Sequence, residues 1–177
     1  MAPRLLTMLT AKLAPVVVLL LVALAVGPAQ SEETKAPPRG DGNPFDQLTG
    51  DWTGDGMVTP SRGDPEKVDC KVSYIPAGST VTQTLLCSGV DNQFDAKTKF
   101  KYKGGKISGS WHEKTFDASG NVSGSAIGDL VHARISGDKF SGRMSIKVSD
   151  AGHTINIVQL DNKSGAYRLA ASFTLHR

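Results

Sequence analysis

The chain has 177 residues, of which 39% are hydrophobic and 21% charged, and its formal net charge is +3. That length suits one domain, and so small a charge excludes the strongly basic character of a general nucleic-acid binder. Two cysteines and four histidines, none at metal-ligand spacing, exclude the metal-cluster classes.

The first segment is unlike the rest. Arg4 and Lys12 precede an apolar run from Leu13 to Val26, and Gly27-Pro28-Ala29-Gln30 follows. A basic start, a short apolar core and small residues before a cut site predict a signal peptide over 1–29. Cleavage is expected after Ala29, with Ala25 as the alternative. The run is too short for the roughly 20 apolar residues that span a bilayer, and extending it back to Leu5 would place Lys12 in hydrocarbon. The mature chain is therefore expected to carry no transmembrane segment and to be periplasmic or secreted. No cysteine lies near the cut site, which argues against a lipid anchor. Loss of Arg4 and Lys12 lowers the net charge from +3 to +1.

Residues 30–44, rich in Pro, Gly and charge, read as a disordered tether. A single domain is expected over 45–177. Pro44 to Leu48 is the one place for a helical turn; beyond it apolar residues recur every second position between Gly, Ser, Asn and Asp clusters, the signature of strands.

Val68, Cys70, Val72 and Tyr74 alternate with polar residues, as do Val81, Leu85 and Cys87. A two-residue loop at Gly78-Ser79 sets Val72 opposite Leu85 and Cys70 opposite Cys87. Opposed residues at a non-hydrogen-bonded site lie about 4.5 Å apart, within disulfide reach, and an even cysteine count in an exported protein reads as one disulfide. Next, Phe94, Ala96, Thr98, Phe100 and Tyr102 share one face and Lys97, Lys99, Lys101 and Lys103 the other. Gly104-Gly105 is a favoured hairpin loop, placing Tyr102 opposite Ile107, Phe100 opposite Gly109 and Thr98 opposite Trp111.

A further strand is expected near Val122 to Ile127. Gly137-Asp138 is then expected to turn Val131, Ala133 and Ile135 onto Met144, Gly142 and Phe140. Asp150 to His153 is expected to turn Ile146 and Val148 onto Ile157 and Ile155. The last strand is expected to bury Tyr167, Leu169, Ala171, Phe173 and Leu175. With a first strand near Trp52, the prediction is an all-β antiparallel meander of about eight or nine strands, a small closed or partly open barrel, with a β-sandwich as the alternative. Closure removes exposed edges and favours the barrel. The polar second face argues against an outer-membrane barrel.

Candidate functional residues are few. Trp52, Phe94, Phe100, Trp111 and Phe140 could line a ligand cavity or be plain core. The inward glycines Gly109, Gly124 and Gly142 read as bends, or as room for a ligand. Lys97, Lys99, Lys101 and Lys103, extended by Lys106, form an outward basic stripe that serves solubility or contacts an anionic polymer. No aromatic residue interleaves with it, which disfavours single-stranded nucleic acid. His112, His132, His153 and His176 read as surface residues. Glu113 is the one carboxylate whose burial could make it an acid, and no catalytic constellation, metal site or cofactor motif accompanies it.

Leu48-Thr49-Gly50-Asp51-Trp52-Thr53-Gly54 resembles the Leu-x-Gly-x-Trp-x-Gly opening of calycin-type barrels, a group that includes lipocalins, nitrobindins and small bacterial metalloprotease inhibitors. With Cys70-Lys71-Val72-Ser73-Tyr74, Leu85-Leu86-Cys87 and Ile107-Ser108-Gly109-Ser110-Trp111, it resembles a family of small secreted alphaproteobacterial proteins over most of 46–177. The resemblance implies export and a disulfide, and no activity. The later lipocalin blocks are absent. The haem-ligand role of a C-terminal histidine in nitrobindins is not carried to His176, which parity points outward.

These features predict an exported, non-enzymatic binding or envelope-associated barrel without a cofactor. The alternatives are a calycin-like carrier of a small apolar ligand, which requires an internal cavity lined by the two tryptophans, and a protease inhibitor that inserts residues 30–44 into its target. The expected partner is accordingly an envelope component, a small apolar ligand or a protease, and not nucleic acid.

Overall fold

The computed structural model describes residues 43–60 and 63–177. The expected signal peptide and the tether up to residue 42 lie outside the described residues. The expected helical turn is present as α1 (Pro44–Leu48). Asn43 caps it, its side chain accepting from the Phe45 N–H at 3.2 Å, and Pro44 occupies the first turn, where its missing N–H leaves nothing unpaired.

Ten strands follow: β1 (Gly50–Val58), β2 (Glu66–Ala77), β3 (Thr80–Ser88), β4 (Gln93–Lys103), β5 (Lys106–Glu113), β6 (Ala118–Ile127), β7 (Leu130–Gly137), β8 (Gly142–Ser149), β9 (Gly152–Leu160) and β10 (Tyr167–His176). Each pairs antiparallel with its chain neighbours, and β10 returns to β1, so the sheet is a closed barrel with no free edge strand. The barrel reading holds over the sandwich, with ten strands against the eight or nine expected.

The first two hairpins have the predicted registers. Cys70 faces Cys87 and Val72 faces Leu85; Tyr102 faces Ile107, Phe100 faces Gly109, and Thr98 faces Trp111. Cys70 and Cys87 form the disulfide, with Cα atoms 4.1 Å apart.

Three later expectations are corrected. Val131, Ala133 and Ile135 face Ile146, Met144 and Gly142, two residues along from the expected pairing, because β8 begins only at Gly142 and loop 138–141 precedes it. Ile146 and Val148 likewise face Ile155 and His153, because the turn takes only Asp150 and Ala151. His153 is therefore a strand residue, 2% exposed, and not a surface histidine. In β10, a bulge between Leu169 and Ala171 reverses the alternation, so Tyr167 and Leu169 lie outside, 40% and 48% exposed, while Ala171, Phe173 and Leu175 are buried. The Tyr167 ring instead receives the Arg143 guanidinium, 4.3 Å from its centroid.

The two ends of the barrel differ. Phe45 and Leu48 of α1 are fully buried at one end, where Phe45 stacks on Phe100 at 5.0 Å and Trp52 donates from Nε1 to the Leu48 carbonyl at 2.7 Å. Arg177 covers the Trp52 ring at 4.6 Å and donates to the Gln47 and Thr49 carbonyls, fastening the helix to the end of β10. This closed end also carries the tight turns at 78–79, 104–105 and 150–151; loops 89–92, 114–117, 138–141 and 161–166 surround the other, open end.

Candidate ligand cavity at the open end

Inward side chains fill the barrel unevenly. Toward the open end the inward positions include Ala96, Ala118, Ala170 and Ala171, and these short side chains leave a cavity of about 500 Å³. Its walls are apolar, with Leu85, Phe94, Trp111, Phe140, Ile157 and Phe173 among them. Trp111 and Phe140 meet edge to face at 6.2 Å, and Trp111 donates from Nε1 to the Ser136 carbonyl at 3.3 Å.

Three of the five aromatic residues singled out in the sequence, Phe94, Trp111 and Phe140, thus line the cavity. Trp52 and Phe100 do not, because α1 plugs their end of the barrel and packs against both. The inward glycines do not border the cavity either. A Cβ on Gly109, Gly124 or Gly142 would come within 1.8, 1.9 or 2.1 Å of a backbone carbonyl on the adjacent strand, so these are places where strands press together.

Two buried polar side chains mark the inner part of the cavity. Thr98 is 8% exposed and lines the cavity. Gln83 donates through its amide to the Tyr74 hydroxyl at 2.9 Å, and that hydroxyl lies 3.2 Å from His153 Nε2. Nδ1 is buried without a partner. Burial raises the Tyr74 pKa and lowers that of His153 to about 4, so both groups are neutral at pH 7.

A stability consequence follows from the buried imidazole. Its folded pKa lies below the ordinary 6.5, so stability present above pH 6.5 is lost as pH falls toward 4, where only the unfolded chain takes up the proton. Allowing for residual solvation, the loss between neutral pH and pH 4.5 should be about 2 kcal/mol. Urea midpoints at the two pH values check this: His153→Phe should flatten the difference, and an equally steep loss in that variant would assign it to carboxylates instead.

The entrance carries charge held in place by backbone groups. Arg168, turned inward by the β10 bulge, donates to the Thr59 and Pro60 carbonyls at 3.0 and 3.4 Å and to the Gln159 side chain. Lys139 donates to the Phe116 and Asp117 carbonyls at 3.1 and 2.8 Å. Glu113 is 2% exposed, and its carboxylate accepts from the N–H groups of Asp95, Thr115 and Phe116 at 2.9, 3.0 and 2.7 Å. It anchors the 114–117 loop, with every bond going to the backbone. Neither Arg168 nor Lys139 pairs with a carboxylate among the described residues.

Sequence reasoning passed over Gln83, Thr98, Lys139 and Arg168. Parity could have found Gln83, which sits between inward Val81 and Leu85; it does place Thr98 on the face of Ala96 and Phe100, but nothing in the pattern separates a polar lining residue from core there. Arg168 had no such signal, because the bulge that turns it inward falls in an Ala-Ala pair. The four stripe lysines are exposed on the outer wall, remote in direction from the cavity.

No family model and no curated protein matches the chain. Among solved structures it resembles the crystal structure of Rv2717c from M. tuberculosis, with a TM-score of 0.62 and 12% sequence identity over 78% of this chain and 99% of that one. At that identity the likeness is one of fold alone.

Proposed function

We propose that the protein is an exported, non-enzymatic carrier that holds a small, mainly apolar molecule with one polar end inside the barrel. The observation that carries this reading is the cavity of about 500 Å³, which has apolar walls, an open end and the polar side chains of Thr98 and Gln83 among its lining. Natural ligand sites span roughly 300–1,000 Å³ and combine apolar walls with a few convergent polar groups. Thr98 and Gln83 supply such groups inside, and Arg168 and Lys139 supply positive charge at the entrance.

Support for a non-enzymatic role comes from Glu113, whose oxygens are committed to backbone N–H groups. A proton-transferring acid needs a free face toward its substrate. Export is supported by the leader-like first segment and the Cys70–Cys87 disulfide.

The test uses anilinonaphthalene sulfonate, an aromatic anion, as probe. Wild-type protein should bind it saturably at one site, with enhanced fluorescence. Ala96→Phe combined with Ala171→Phe fills the cavity and should weaken binding about tenfold or more while keeping the fold. Equal binding by the filled variant would place the probe on the surface and end the carrier reading. Native mass spectrometry of protein taken from the periplasm then identifies what the cavity retains.

A further inference from the structure

The outer wall of the barrel has a charge pattern that the cavity does not explain. On β4, Lys97, Lys99, Lys101 and Lys103 point outward at intervals of about 7 Å. Lys106 on β5 lies directly across from Lys103. Three strands away from β4, Arg134 on β7 lies directly across from Arg143 on β8. Like charges at opposed cross-strand positions destabilise a sheet, and this wall keeps two such pairs. None of these four residues forms an ion pair with a carboxylate among the described residues; the Arg143 guanidinium rests instead on the Tyr167 ring of β10, which leaves Arg134 and the lysines as the cations facing the wall. Asp95, the one acidic outward residue of β4 to β8, is bound to Lys114 at the open end.

Between the two cationic lines the outward side chains are short and polar, Ser108 and Ser110 on β5 and Ser119, Asn121, Ser123 and Ser125 on β6, with His112 across from Lys97 toward the open end. Long side chains flanking short ones make a trough, with walls three strand spacings, or about 14 Å, apart. At its closed-end limit lies a depression of about 460 Å³ bordered by Lys101, Lys103, Lys106, Ser108 and Ser123.

We propose that this wall, β4 through β8, binds an anionic polysaccharide. Repeated carboxylate or sulfate groups along such a chain match the lysine row and relieve the repulsion between Lys103 and Lys106. The serine and asparagine side chains offer donors and acceptors to sugar hydroxyls. The trough has no aromatic platform on which unstacked bases could lie, which separates it from a single-stranded nucleic-acid groove. Because the mature chain is expected to be nearly neutral, attraction depends on this local concentration of cations, not on net charge.

The experiment measures binding of polygalacturonate to the disulfide-bonded mature protein by titration calorimetry at about 0.05 M salt, where surface charges are weakly screened. Wild type should bind, and affinity should fall as salt rises. Lys101→Gln, Lys103→Gln and Lys106→Gln together should weaken binding about tenfold or more. A charge-matched control, Lys67→Gln, Lys71→Gln and Lys163→Gln, should stay within about twofold of wild type. Circular dichroism verifies that both sets are folded. Absence of binding by wild type, equal losses in the two sets, or tighter binding of single-stranded DNA than of polygalacturonate would each overturn the proposal. The cavity-filled variant should bind the polymer as wild type does, so this test and that of the carrier role fail separately.

Discussion

Phe45→Ala should cost about 4 kcal/mol of stability, the largest loss expected from any single substitution in this chain. A five-residue helix has no stability of its own in water, so α1 exists because the barrel end needs a cover. Phe45 has no exposed surface, stacks on Phe100 at 5.0 Å and meets Tyr102 edge-on at 6.4 Å. Truncating it forfeits the burial of the ring and leaves a void that the strand ends, fixed by closure, cannot collapse to fill. Denaturant midpoints measure the effect. Phe45→Leu should lose about 1.5 kcal/mol or less, since it keeps most of the apolar volume. Phe94→Ala should lose less than Phe45→Ala, because Phe94 is only half-buried and borders space that is already empty. A loss below about 1.5 kcal/mol for Phe45→Ala would mean that the helix is ornamental to the barrel.

Removing the disulfide should cost about 3 kcal/mol. The two cysteines are 17 residues apart in sequence and join neighbouring strands. The cross-link chiefly restricts the unfolded chain, because closure already fixes the register of β2 and β3 in the folded one. Cys70→Ala with Cys87→Ala should therefore fold to the same barrel at a lower midpoint, and reducing the wild type should reproduce that midpoint. Both sulfurs are buried, so reduction should be slow until the barrel opens. Rapid reduction at neutral pH without loss of structure would show that this part of the barrel opens locally.

The sequence made the strands legible because a half-buried sheet has a period of two, and the first hairpins legible because Gly78-Ser79 and Gly104-Gly105 each admit one tight turn. Around Gly137-Asp138 and Asp150-Ala151-Gly152 the expected registers are each two residues off. A slip of two residues keeps every side chain on its own face, so the apolar pattern could not choose between the expected and the observed ones. That is how His153 passed for a surface residue. Trp52 and Trp111 likewise share the inward face but stand at opposite ends, a distinction that parity does not carry. The cavity depends on Ala96, Ala118 and Ala171 arriving at one level from three separate strands, which only the full set of registers determines. The lysine row, by contrast, was evident at once, because it lies within one strand. Its counterpart at Arg134 and Arg143 needed the corrected pairing of β7 with β8.

Ala170 is a spare residue in β10: it and Ala171 together take the single step from Val158 to Ile157 on the neighbouring strand. Excising Ala170 would join Leu169 to Ala171 in regular register, leaving Leu169 outside and the Arg168 guanidinium at the entrance. Drawing Ala170 into regular pairing would instead rotate the preceding residues by half a period, sending Arg168 out and the Leu169 isobutyl group in. The charge of the doorway thus rests on how one alanine pairs.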